Sequence, residues 1–121
     1  MKTFFFLCYN NLGDIMDYLL AGIIIILPLI AQVRVTSAYN KYSKVNNSIN
    51  MSGREVARKI LDKNGLSNVT INRVSGNLTD HYDPKAKNIN LSDGIYDEKT
   101  IAAVSVAAHE VGHAIQDKEA Y

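Results

Sequence analysis

The sequence predicts an α+β protein in two parts: an N-terminal transmembrane helix, then a small domain of one helix, a short antiparallel sheet and a closing helix. Three observations predict it. Tyr18 to Val33 is an uncharged, almost wholly apolar run. Val69 to Val74 alternates with period two and is followed by two short runs separated by a turn, as strands do. Ile101 to Ile115 repeats its apolar residues at three and four, which is the spacing of a helix with one covered face. The chain has 121 residues, enough for one small domain.

The apolar run would span about 24 Å as a helix at 1.5 Å per residue, slightly under the roughly 30 Å of a hydrocarbon core. Asp17 and Arg34 stand at its ends, and Arg34 can extend its charge to the headgroups. Pro28 interrupts the run and is expected to kink it, which membrane helices tolerate. A cleaved signal peptide is the rival reading. It needs a basic N-terminal region, whereas Asp14 and Asp17 flank this run, although Thr36, Ser37 and Ala38 are small enough for cleavage. The anchor is therefore placed at residues 16–36, in contact with membrane lipid. Arg34, Lys41 and Lys44 follow it and only Lys2 precedes it, so a single-pass protein of the cell membrane with its later part cytoplasmic is expected. Residues 1–15 read as an upstream extension rather than a structural element, and residues 37–50, rich in Asn, Ser and Lys, as a juxtamembrane linker.

Residues 51–121 form the domain. Ser52 is a good N-cap and Glu55 completes a capping box with it. Val56, Ile60 and Leu61 give the helix its apolar face, Arg54, Arg58, Lys59 and Lys63 its wet one, and Gly65 a left-handed end. The Val69–Val74 strand turns at Ser75-Gly76-Asn77, and Leu78–Tyr82 and Lys87–Leu91 form a hairpin closed by Asp83-Pro84-Lys85-Ala86. Asp93-Gly94 turns again, and Asp97 or Thr100 begins the closing helix.

Net charge is +1 and no basic stripe is present, which excludes nucleic acid as a main partner. Cys8 is the only cysteine, so a disulfide within the chain and a cysteine-rich zinc site are both excluded. Asn-x-Ser/Thr triplets begin at Asn46, Asn50, Asn68, Asn77 and Asn90; in so Asn-rich a chain they are expected by chance.

The closing helix carries the chemistry. His109, Glu110 and His113 read H-E-x-x-H, which puts two imidazoles one turn apart with a carboxylate beside them. That arrangement suits two ligands of one Zn²⁺ ion and a general base for zinc-activated water, hence peptide-bond hydrolysis. The expected apolar stripe is Ile101, Val104, Ala108, Val111 and Ile115, with the histidines opposite, and Gly112 is expected where another backbone packs closely. His81 reads either as a third ligand or cleft residue, or as a turn residue held by Asp80 or Asp83. Asp117 and Glu119 read as solvated charges.

The segments YNKYSKV (39–45), GREVAR (53–58), VSGNLTDHYDP (74–84) and AAVSVAAHEVGHAIQ (102–116) resemble the YugP-like family of neutral zinc metallopeptidases of bacterial membranes. The resemblance runs from about Met16 to the end. It implies a zincin-like domain behind an N-terminal anchor, zinc held by His109 and His113, Glu110 as catalytic acid and base, and a peptide or protein substrate. It also implies a further helix bearing a glutamate as third ligand, as in gluzincins. That helix is not found before Tyr121. The expectation is thus a partial metallopeptidase domain in an incomplete chain, with the third ligand supplied by a missing C-terminal half or a partner chain. The alternative is a non-catalytic membrane protein, or a truncated remnant, retaining the motif for structure or for binding a partner.

Overall fold

Large apolar side chains on every side of a helix leave it no face to turn to water. The first element, α1 (Lys2–Tyr42), is such a helix: it buries none of its residues and is long and apolar enough to cross a membrane. Its 41 residues extend about 60 Å, twice the hydrocarbon thickness, and run unbroken through Pro28. Two expectations are corrected here. Residues 2–15 are helical, because Asn10, Asn11 and Gly13 each cost a helix only about 1 kcal/mol or less. The expected linker also begins as helix, to Tyr42. The computed structural model describes residues 1–120, which fall into two units, Met1–Ala38 and the residues from Tyr39 onward.

In the second unit, the remainder of the linker is fastened rather than free. Ile101 N–H donates to the Val45 carbonyl at 2.9 Å and Asn47 N–H to the Lys99 carbonyl at 2.9 Å. Asn47 also reaches the carbonyls of Met51 and Thr100 through its side chain. Helix α2 (Gly53–Lys63) begins with the expected capping box, Ser52 accepting from Glu55 N–H while Glu55 accepts from Ser52 N–H. It ends at Gly65 with φ +71°, a conformation open to glycine without cost. A side chain at Gly53 would overlap the Ile95 carbonyl, so glycine lets the start of α2 touch the next helix. Arg58, expected in water, instead donates to the carbonyls of Val69 and Leu66 and to Asp62.

The sheet comprises β1 (Thr70–Val74), β2 (His81–Asp83) and β3 (Asn88–Ser92) in the order β1-β3-β2. The hairpin is antiparallel as expected, His81 lying opposite Asn90. Asp83 Oδ1 closes its turn by accepting from the N–H of Lys85 and Ala86. The expected all-antiparallel sheet is corrected, since β1 pairs in parallel with β3, Ile71 beside Ile89. The reason is burial. β3 carries Ile89 and Leu91, both wholly buried, and takes the centre, so the link from β1 must step over it to reach β2. Asp80 pins that step by accepting from Ser92 N–H at 2.7 Å and from its hydroxyl, at the end of β3.

Asp93-Gly94 opens a single helical turn, α3 (Asp93–Tyr96), and Thr100 caps α4 (Ile101–Glu119) by accepting from Ala103 N–H at 3.1 Å. Leu61, Val69, Ile89, Leu91, Ile95 and Val111 make the wholly buried centre, each contributing about 1.5–3 kcal/mol by leaving water. The buried face of α4 differs from the expected stripe. It is Ala102, Ala103, Ala107, Glu110, Val111 and Ala114, while Ile101 is exposed. Small residues let α2 and the sheet approach α4 closely, which a face of isoleucines would prevent.

Candidate functional site

One turn of α4 separates His109 from His113, and both imidazoles stand exposed on the flank of its buried alanine face. Their Nε2 atoms are 3.2 Å apart and their rings nearly perpendicular, with centroids at 4.7 Å. Two nitrogens bound tetrahedrally to one zinc at about 2.05 Å lie about 3.3 Å apart, so this pair has the separation of two ligands of one ion. His113 Nδ1 lies 3.2 Å from Gln116 Oε1, an oxygen that can only accept. His113 Nδ1 can donate to that oxygen, which leaves Nε2, facing His109 Nε2, as the ring's acceptor nitrogen. Sequence reasoning missed Gln116, though its place three residues after His113 is the signal for such an orienting partner.

Glu110 shares the turn but faces inward at 8% exposure. Burial pushes its carboxyl above the usual range, opposed by the neighbouring His109 and His113 and reinforced by the negative Asp80. The carboxyl opens on a cavity of about 550 Å³ whose walls include Asp80, His81, Tyr82, Glu110, His113 and Asp117. The hairpin thus flanks α4, and His81 lies in the cleft as one of the sequence readings had it.

His81 is not held by Asp80 or Asp83. Its Nδ1 meets the Thr79 carbonyl at 2.9 Å and must donate there, and its Nε2 then accepts from Asn90 Nδ2 at 3.2 Å. Both of its nitrogens are thus engaged by neighbouring groups. Among the described residues no group of three or more His, Cys, Asp or Glu side chains is gathered for an ion. His109 and His113 are the two imidazoles whose Nε2 atoms converge.

Asp117 corrects its expected role as a solvated charge. It accepts from Tyr82 Oη at 2.8 Å and pairs with Lys87 across the mouth of the cavity. The Lys87 hydrogen bond holds its carboxyl below the usual range, with Tyr82 adding to the effect. Burial, with the Asp117 hydrogen bond second, pushes the Tyr82 hydroxyl up to about 12. Lys87 owes its reach to the hairpin turn, which sequence spacing alone does not locate. Gly112 is also corrected: among the described residues a side chain there would meet nothing within 4 Å, so none of their backbone packs against it.

Residues 17–121 match the family described as "Putative neutral zinc metallopeptidase". The chain belongs to that family. A curated relative, "Putative membrane protease YugP" of Bacillus subtilis (strain 168), is 52% identical over 91 residues, covering 75% of this chain and 40% of its own length. The chain thus spans about two-fifths of the relative it matches. No solved structure matches it. The family's name implies zinc and peptidase chemistry, and the relative's name, with the apolar α1, places the chain at a membrane.

Proposed function

We propose that the chain is the anchored N-terminal part of a zinc metallopeptidase, with His109 and His113 holding the metal and Glu110 moving the proton. The observation that carries this reading is the pair of Nε2 atoms at 3.2 Å beside an inward carboxyl on an open cavity. Zinc bound there would supply Lewis acidity and an activated water. Glu110 would take a proton from that water and return it to the leaving amine, and its partial burial brings its proton affinity closer to what that task needs. Catalytic zinc sites use three protein ligands. The reading therefore requires a third donor, from sequence corresponding to the rest of the relative's length or from a partner chain.

Among the described residues β2 pairs only with β3, which leaves its outer edge beside the cavity unpaired there. An extended peptide laid along it would gain main-chain hydrogen bonds while its scissile bond lay over Glu110. We place residues 16–36 in the lipid and the zincin-like domain, 51–121, on the cytoplasmic side, on the strength of Arg34, Lys41 and Lys44. Protease added outside intact cells should then leave the segment after Val45 uncut.

The test of the chemistry is made in the whole protein in its own membranes. Glu110→Gln should abolish peptide hydrolysis with zinc retained, whereas His109→Ala and His113→Ala should each lose the zinc. Hydrolysis that survives Glu110→Gln would sink the proposal.

A further inference from the structure

We propose that the outer edge of β1, with the groove between it and α2, docks an extended acidic segment of a partner protein. The site is remote in the sheet from the motif, because β1 and β2 are its opposite edges. Thr70 N–H donates towards β3, to the Lys87 carbonyl. In a parallel ladder the residues of a strand alternate between facing the partner and facing away. Ile71 and Arg73 therefore turn their N–H and C=O groups outward. The same parity turns Val69 outward, and its carbonyl is already taken by Arg58 at 2.7 Å. The open main-chain groups are thus confined to Ile71 and Arg73, a short docking register.

Beside this edge lies a cavity of about 740 Å³ whose walls include Arg54, Arg58, Lys59, Ile71, Asn72 and Tyr96. Ile71 is only half covered and offers an apolar contact at its floor. Of the charges in the wall, Arg58 is paired with Asp62, and Glu55 is used in capping Ser52. Arg54 and Lys59 have no carboxylate partner among the described residues. Arg54 stacks on Tyr96 with its guanidinium carbon 5.3 Å from the ring centre, which holds it at the groove. The edge carries no proline, one of the guards against strand addition. A second copy docking here would bring another α2 with the same two cations, which repels rather than complements them. An acidic strand complements them.

The probe is a peptide alternating glutamate and valine, added to the full chain in detergent micelles with amide signals followed by NMR. Saturable shifts and slowed exchange at Ile71 and Arg73 are expected. The double change Arg54→Glu with Lys59→Glu should weaken binding about tenfold, since two exposed ion pairs are lost. A peptide with lysine in place of glutamate should bind that variant better than it binds the native chain. N-methylation of alternate peptide amides should abolish binding. Shifts at His81 and Tyr82 in place of Ile71 and Arg73, unchanged affinity in the charge-reversed chain, or full binding of the N-methylated peptide would each overturn the proposal. So would capture of the domain by phosphatidylserine vesicles with no response to the peptide.

Discussion

Two helices of this protein are rich in apolar residues and are used oppositely. α1 exposes large side chains all round and buries none, whereas α4 buries mostly alanines on one face and exposes its histidines on the flank. The contrast shows that size and angular distribution, more than hydrophobicity, decide which medium a helix is built for. Bulk in every direction suits lipid, and a narrow strip of small residues suits a close protein neighbour. It also shows how α4 divides its faces, since the alanine strip carries the packing and the flank carries the exposed imidazoles.

The comparison can be broken most severely where α4 meets α2. Leu61→Ala should cost the domain about 2–5 kcal/mol, read from the urea midpoint by tyrosine fluorescence in micelles. Leu27→Ala in α1 should leave that midpoint unmoved. Next in size, Ile25→Arg should raise the cost of membrane insertion by about 2.5–3.5 kcal/mol, measured by fractionation, with no change in the domain's unfolding. If it also destabilised the domain, the two units would be coupled more tightly than the contrast allows.

A smaller effect sharpens the point about size. Ala107→Leu should destabilise the domain by about 1–3 kcal/mol through overpacking, whereas Ala21→Leu should be silent. The mildest test concerns the link between hairpin and α4. Tyr82→Phe should cost about 1 kcal/mol as one hydrogen bond is lost. The raised Tyr82 favours the folded state below the ordinary phenol range, and this contribution fades as pH climbs from about 10 to about 12. The lowered Asp117 favours it above the ordinary carboxylate range, and this fades as pH falls below that range. Tyr82→Phe should therefore flatten the alkaline side of the stability profile and Asp117→Asn the acidic side.

Much of this was legible from local sequence. The apolar run, the Ser52–Glu55 capping box, the Gly65 end, the Thr100 cap and the hairpin turn each depend on a few neighbouring residues, and each lies where the sequence predicts an element. The motif spacing likewise predicted that His109 and His113 would share a face, since a four-residue step on a helix permits little else. The family followed from segments matched in order. The parallel pairing of β1 with β3 was not legible, because alternation marks a strand without naming its neighbour. Nor was the alanine face of α4: a helical wheel ranks residues by hydrophobicity, whereas close packing selects them by size.

What the sequence determined by itself is the kind of most elements and the one-turn spacing of His109 and His113, because both arise from short-range geometry and side-chain type. What only the tertiary structure decided is which groups meet across the fold. Asp80 pins the end of β3, Asn90 reaches across to His81, and Asp117 joins Tyr82 and Lys87. Most of these contacts depend on how strands and helices are brought together by burial of Leu61, Ile89, Leu91 and Val111. That is a property of the whole domain, and no window of the sequence contains it.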